Sequence, residues 1–106
     1  MIRAVLEHRT RNAEDTKKLI EVIRETRAVA KKQPGFIQGE TLVDVDDPCH
    51  VLVNSTWRNL EDWKAWDESK TRLDMKWMIE ELLAEPYTTS FQSASVIWQE
   101  SIKHVF

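Results

Sequence analysis

Hydrophobic and polar residues alternate over residues 2–9 at the start of the chain. One side of this segment carries Ile2, Ala4, Leu6 and His8, and the other carries Arg3, Val5, Glu7 and Arg9. A period of two is typical of a β-strand that has one buried face. Similar segments rich in β-forming residues follow at residues 36–45, 50–57 and 87–98. The pattern therefore predicts four strands.

Two helical segments lie between these strands. In the first, apolar or small residues recur at helical spacing, at Leu19, Val22, Ile23, Thr26 and Ala30. Asn12 is a suitable N-cap for this helix, and Pro34-Gly35 ends it. The second segment covers residues 60–84, follows the candidate cap Asn59, and has a predicted break near residues 67–70.

The resulting order is strand-helix-strand-strand-helix-strand, and it predicts an α+β fold. The turn Asp46-Asp47-Pro48 makes the second and third strands a hairpin. A hairpin favours a ferredoxin-like βαββαβ arrangement with an antiparallel four-stranded sheet. We expect one domain over residues 1–106, with residues 99–106 as a strand extension or a tail. Because apolar residues occupy both sides of several strands, the second sheet face is predicted to meet another copy in a homodimer.

Composition excludes several classes of function. The chain has 106 residues and a net charge of −3, and no basic face emerges, so nucleic acid is not an expected partner. No apolar run approaches the roughly 20 residues that span a bilayer, and the start of the chain does not resemble a signal peptide. Cys49 is the one cysteine. We predict a cytoplasmic protein that is not bound to a membrane.

Five tryptophans are unusual in so short a chain. Trp63, Trp66 and Trp77 lie in the second helical segment, where they either wall a pocket for a planar ligand or pack in the core. Trp57 and Trp98 lie at strand ends, where packing or dimer contacts are the expected role.

Several short motifs occur in a characteristic order. They are Pro34-Gly35-Phe36 leading into Gly39-Glu40, the turn Asp46-Asp47-Pro48, Trp57 at the end of a strand, and the segment 61–66. Over residues 1–93 the chain resembles the antibiotic biosynthesis monooxygenase family, the dimeric α+β barrel group that includes bacterial haem-degrading monooxygenases. The resemblance implies a homodimer with a pocket between helices and sheet in each subunit. It also implies either metal-free and flavin-free oxidation of polycyclic phenols or haem cleavage.

The haem-degrading pattern matches this chain only in part. Its asparagine corresponds to His8, its tryptophan to Trp66, and its axial histidine to Lys76. A lysine is normally protonated at neutral pH and is then a poor metal ligand. The resemblance therefore favours an enzyme without a cofactor, although haem binding through His8 or His50 stays an alternative. Cys49 and His50 are adjacent on a strand and point to opposite faces, so no metal site is predicted.

His8 and Trp66 are the candidate catalytic residues. A partly buried imidazole is able to act as a general base near neutral pH, and Trp66 would stack on the substrate. The candidate substrate contacts are Asn54, Trp63, Arg72 and Trp77. Each residue also has a purely structural interpretation: a backbone-bonded histidine, core tryptophans, a satisfied asparagine and a solvated arginine.

Three hypotheses for function follow. The first is a monooxygenase acting on a planar, largely apolar phenolic or quinone-type molecule. The second is a non-catalytic dimer that binds haem or another planar ligand. The third is a structural dimer whose pocket is filled by its own tryptophans.

Overall fold

The computed structural model describes residues 1–93, which form four strands and three helices. The elements are β1 (Ile2–Arg9), α1 (Ala13–Ala30), β2 (Phe36–Val43), β3 (His50–Trp57), α2 (Leu60–Asp67), α3 (Lys70–Glu80) and β4 (Thr88–Ser93). The four strands form one antiparallel sheet in the order β2-β3-β1-β4. This is the predicted ferredoxin-like α+β fold.

Side-chain caps determine where each helix begins. The Asn12 side chain accepts a hydrogen bond of 2.8 Å from the Asp15 backbone N–H, and Asn59 does the same for Asp62. The predicted break in the second helical segment is real, because α2 ends at Asp67 and Ser69 caps a separate helix, α3. Arg72 lies in the first turn of α3 and is buried.

Unbroken alternation over residues 36–45 predicts that Phe36 and Gly39 lie on opposite faces of the sheet, and this prediction is wrong. The pairing of β2 with β3 shifts between Phe36 and Gln38, which leaves Ile37 as an extra residue. The β-bulge places Phe36 opposite Trp57, on the same face as Gly39. In addition, β2 ends two residues early at Val43, and α3 ends at Glu80 instead of residue 84. The predicted strand beyond Ser93, together with Trp98 and the tail, lies outside the described residues.

The three helices pack against the sheet face that carries Ala4, Leu6 and His8. Two clusters of buried residues fill this layer. The first contains Leu19, Ile23, Val51 and Ile79, and the second contains Ala30, Trp57 and Trp66. Within residues 1–93, no helix is both long enough and apolar enough to cross a membrane.

Candidate functional site

A cavity lies between the helices and the sheet and is walled by residues from both core clusters. The region accessible to the centre of a water molecule measures about 60 Å³. That is room for roughly five water molecules. We call it the inner cavity. The residues that line it include His8, Arg27, Trp57, Trp63, Trp66 and Arg72.

His8 is the candidate base in the wall of the inner cavity. It lies on β1 opposite Val51, and 1% of its surface is exposed. Its Nδ1 atom has no hydrogen-bond partner among the described residues. An unpartnered buried nitrogen costs about 1–3 kcal/mol, and a ligand that hydrogen-bonds to it would recover this energy.

The pKa of His8 is lowered to about 4, chiefly because the side chain is buried. The positive charge of Arg72 also lowers this pKa, whereas backbone hydrogen bonds to Val51 and Leu6 oppose the shift. The charged imidazolium loses its hydration inside the core, so the neutral form is favoured. His8 is therefore neutral at physiological pH. In that state one ring nitrogen carries a lone pair that can accept a proton.

The lowered pKa predicts a loss of stability in acid. Above pH 6.5, histidine is neutral in both the folded and unfolded chains, so the stability is fully present. As the pH falls from 6.5 toward 4, the unfolded chain takes up a proton first, and about 3 kcal/mol is lost. Chemical denaturation at pH 7 and pH 4, on wild type and on His8→Gln, measures this loss. The difference in unfolding free energy between the two proteins should change by that amount, and an unchanged difference would contradict the buried neutral state.

Arg72 is the second unusual polar residue of the inner cavity. It lies in the first turn of α3 and is 4% exposed, although a surface arginine was the structural alternative. Its Nε atom lies 3.7 Å from Asp67 Oδ1, and its Nη2 atom donates a hydrogen bond of 3.4 Å to the Tyr87 hydroxyl. Its Nη1 atom has no hydrogen-bond partner within residues 1–93. The cavity wall thus contains a hydrogen-bond donor that lacks an acceptor.

Aromatic residues contribute to the apolar part of the wall, beside aliphatic residues such as Leu6 and Val53. Trp66 is 6% exposed and packs with Ala30 and Trp57. Trp63 meets the Phe91 ring edge-on, with the ring centroids 4.7 Å apart. Trp57 is fully buried, and its indole N–H donates to Ser55 Oγ over 2.9 Å. The inner cavity therefore has flat aromatic walls of the kind that suit a planar ligand.

Two of the predicted substrate contacts do not extend their side chains along this wall. Asn54 borders the inner cavity, but it pairs with Val5 and Glu40, and its amide donates to Glu40 Oε1 over 3.1 Å. These residues occupy the sheet face turned away from the helices, because His8 pairs with Val51 and strand neighbours point to opposite sides. Trp77 is 71% exposed on α3 and does not line the inner cavity.

Sequence reasoning missed Arg27 and Tyr87. Arg27 lies on α1, lines the inner cavity and donates to Thr41 Oγ1 over 2.8 Å, and burial lowers its pKa. It passes over Gly39, where an added Cβ would lie 2.9 Å from Arg27 Nε. The Tyr87 ring lies 5.1 Å from the His8 ring, between centroids. The sequence contains a signal for Arg27, because this residue follows the apolar pair Val22-Ile23 at helical spacing. It contains no local pattern that indicates Tyr87.

The inner cavity does not fit a haem group. Pockets for ligands of even drug size occupy about 300–1,000 Å³, far above the 60 Å³ present here. Lys76, which corresponds to the axial ligand of haem degraders, lies outside this cavity, with Nζ 5.7 Å from the centre of the Tyr87 ring. In the described part of the chain, no three His, Cys, Asp or Glu residues are grouped to hold a metal ion.

Comparison with solved structures shows the same fold in several proteins. A protein from Nitrosomonas europaea that is assigned to the antibiotic biosynthesis monooxygenases is 18% identical, with a TM-score of 0.81 over 91% of this chain and 100% of its own. SnoaB, a cofactor-independent oxygenase from Streptomyces nogalater, is 16% identical, with a TM-score of 0.80 over 91% and 94%. A conserved protein from Methanosarcina mazei is 13% identical, with a TM-score of 0.81 over 89% and 92%.

Sequence comparison gives the family. No curated protein matches the chain. The model of the antibiotic biosynthesis monooxygenase family matches residues 1–76, a region that contains His8, Trp66 and Arg72 of the inner cavity. The chain therefore belongs to the antibiotic biosynthesis monooxygenase family.

Proposed function

We propose that this protein is a cofactor-independent monooxygenase that oxidises a planar phenol in the inner cavity. One observation carries the proposal: the same cavity wall contains an acceptor, neutral His8, and a donor, Arg72, that both lack partners within residues 1–93. A hydroxyl group is a donor and an acceptor at once. It satisfies both side chains, whereas a carboxylate or a ketone satisfies only Arg72.

The reaction begins with proton transfer from the phenol to His8. Arg72 then stabilises the phenolate oxygen by a charge-assisted hydrogen bond. The electron-rich phenolate reduces O₂, and a new C–O bond forms at a ring carbon that bears hydrogen. The O–O bond then breaks together with the ring C–H bond, whose electron pair forms the new carbonyl. The departing oxygen takes up the proton from His8 and the proton released by the ring carbon, and it leaves as water. Phenol and O₂ thus become a quinone and water, and the substrate itself supplies all four electrons.

The low pKa of His8 restricts the substrate to acidic phenols. An ordinary phenol has a pKa near 10, so transfer to a base of pKa about 4 is uphill by about 8 kcal/mol before the anion is stabilised. The interaction of the phenolate with Arg72 recovers part of this energy, because the charges pair in a water-poor site. A phenol that carries an electron-withdrawing substituent reduces the remaining cost.

Oxygen uptake with acidic phenols tests this function. The purified protein should consume one O₂ per phenol, and ¹⁸O₂ should place a single labelled atom in the quinone. Ligand binding without oxygen consumption would instead favour the second hypothesis, a non-catalytic protein that binds a planar ligand. An oxidation that stops when a chelator is added would contradict the cofactor-independent mechanism.

We further propose that two copies of the chain pair through the sheet face turned away from the helices. Val5 and Leu52 are partly buried there, and Leu42 is 44% exposed beside them. Sedimentation velocity should give twice the chain mass of 12.5 kDa. Leu52→Glu should shift the protein toward monomer, whereas Met78→Glu, on the exposed side of α3, should not. A monomeric wild-type protein at micromolar concentration would refute the pairing.

A further inference from the structure

A second and larger cavity shares no lining residue with the inner cavity, but it is lined by Tyr87, which contacts both His8 and Arg72. The region accessible to water centres measures about 450 Å³ there, against 60 Å³ in the inner cavity. We call it the outer cavity. The residues that line it are Asp67, Lys76, Glu80, Leu83, Pro86, Tyr87 and Thr89. Its size lies within the range of drug-sized ligand sites.

Tyr87 stands between the two cavities. It lines the outer cavity, while its ring lies 5.1 Å from the His8 ring at a tilt of 31°. Its hydroxyl accepts a hydrogen bond of 3.4 Å from Arg72 Nη2. His8 and Arg72 line the inner cavity but not the outer one, and the reverse holds for Tyr87. The Tyr87 side chain thus separates the two cavities, and we call it the partition. It contacts both His8, the candidate base, and Arg72, the candidate hydrogen-bond donor to the phenolate oxygen (the oxyanion donor).

Two contacts hold Tyr87 in place. The Lys76 ammonium lies 5.7 Å from the centre of the Tyr87 ring, within the range of a cation–π interaction. Arg72 Nη2 donates to the Tyr87 hydroxyl. Arg72 Nε lies 3.7 Å from Asp67, which also lines the outer cavity, and Nη1 is left for a ligand.

We propose that Tyr87 determines substrate size, limiting the enzyme to single-ring phenols, and that its hydroxyl positions Arg72. This inference rests on the proposed function, since it assumes that a phenol binds at His8 and Arg72. The inner cavity has room for roughly five waters, which is comparable to one small aromatic ring. A second fused ring would have to occupy the space of the Tyr87 side chain. Removing that side chain joins the two cavities and makes room for it.

Anaerobic calorimetric titration with two matched probes tests the inference. 4-Cyanophenol and 6-cyano-2-naphthol carry the same acidifying group on one ring and on two. Wild type should bind the single-ring probe at least about 10-fold more tightly, and Tyr87→Ala should remove or invert this preference. Tyr87→Phe should keep the preference, because the ring remains, but should weaken both probes several-fold because Arg72 loses an acceptor. The matched control is Trp77→Ala, which removes an exposed aromatic side chain that lines neither cavity.

The outcomes separate this inference from the proposed function. If Tyr87→Ala keeps the wild-type ratio of affinities, Tyr87 does not set substrate size, even when oxygen uptake occurs as proposed. If the ratio inverts but no phenol consumes oxygen, the partition is real and the monooxygenase proposal fails. The inference would also be overturned if Trp77→Ala changed the ratio of the two affinities as much as Tyr87→Ala does. Tyr87→Leu, a smaller change in volume, replaces the alanine variant if circular dichroism shows that the latter is unfolded.

Discussion

Replacing His8 with glutamine is expected to reduce the turnover of an acidic phenol by about 10²–10⁴-fold, the usual contribution of a positioned general base. Glutamine retains hydrogen-bonding capacity in the wall of the inner cavity, but it cannot carry a proton away from the phenol. Oxygen consumption at saturating substrate measures the effect. His50→Gln is the matched control, because His50 lies on the opposite sheet face beside Glu7, 3.4 Å from its carboxylate.

The pH dependence of the oxidation rate also tests the role of His8. Because the pKa of His8 is about 4, the neutral base is present throughout the neutral range, and activity should be level from pH 8 to pH 5. It should fall as the pH drops through about 4, where the imidazole becomes protonated and loses its free lone pair. A full rate in His8→Gln would show that another group removes the proton. A rate that falls near pH 6.5 instead would show that the histidine is solvated during turnover.

Replacing Trp57 with alanine is expected to reduce the free energy of unfolding by about 3–5 kcal/mol, the range for deleting a buried tryptophan. The side chain is fully buried, meets the Phe36 ring edge-on at 5.3 Å between centroids and donates to Ser55. Trp77→Ala is the control within the same residue type. Trp77 is 71% exposed, so its loss should change stability by no more than about 0.5 kcal/mol.

Chemical denaturation followed by circular dichroism distinguishes these two tryptophans. If Trp57→Ala leaves too little folded protein to measure, Trp57→Phe keeps most of the packing and should show a smaller loss. Similar losses for Trp57→Ala and Trp77→Ala would mean that residue 77 is covered in solution. In that event, the exposed surface of α3 would need a partner that the monomer does not supply.

The fold was predictable from the sequence because its signals are local. Helix caps such as Asn12 and Asn59 act within three residues, and the alternation in β1 correctly put His8 with the buried side chains. The β-bulge at Ile37 was not predictable, since an unbroken alternation of side chains looks the same with or without an extra residue. Only the pairing with β3 reveals that Phe36 faces the helices.

The candidate site was predictable only in part, because its geometry depends on contacts between distant segments. Asn54 was assigned to the pocket without knowledge of the register, and its pairing with Val5 places it on the other face. The burial of Arg72 depends on Asp67 before the helix break and on Tyr87, fifteen residues along the chain. An isolated arginine is usually solvated, so nothing in its neighbourhood indicated that its guanidinium would line a cavity.

Gly39 has a consequence for how the inner cavity can change through mutation. The Arg27 guanidinium is held over the sheet by Thr41, in space that any side chain at residue 39 would occupy. The position of Arg27, the second cation at the inner cavity, therefore depends on the absence of a side chain at residue 39 in β2. That strand contains neither the candidate base His8 nor Arg72. A single added methyl group at residue 39 would push Arg27 aside. Ligand preference in this protein is thus open to change from a residue that a ligand in the inner cavity need not touch.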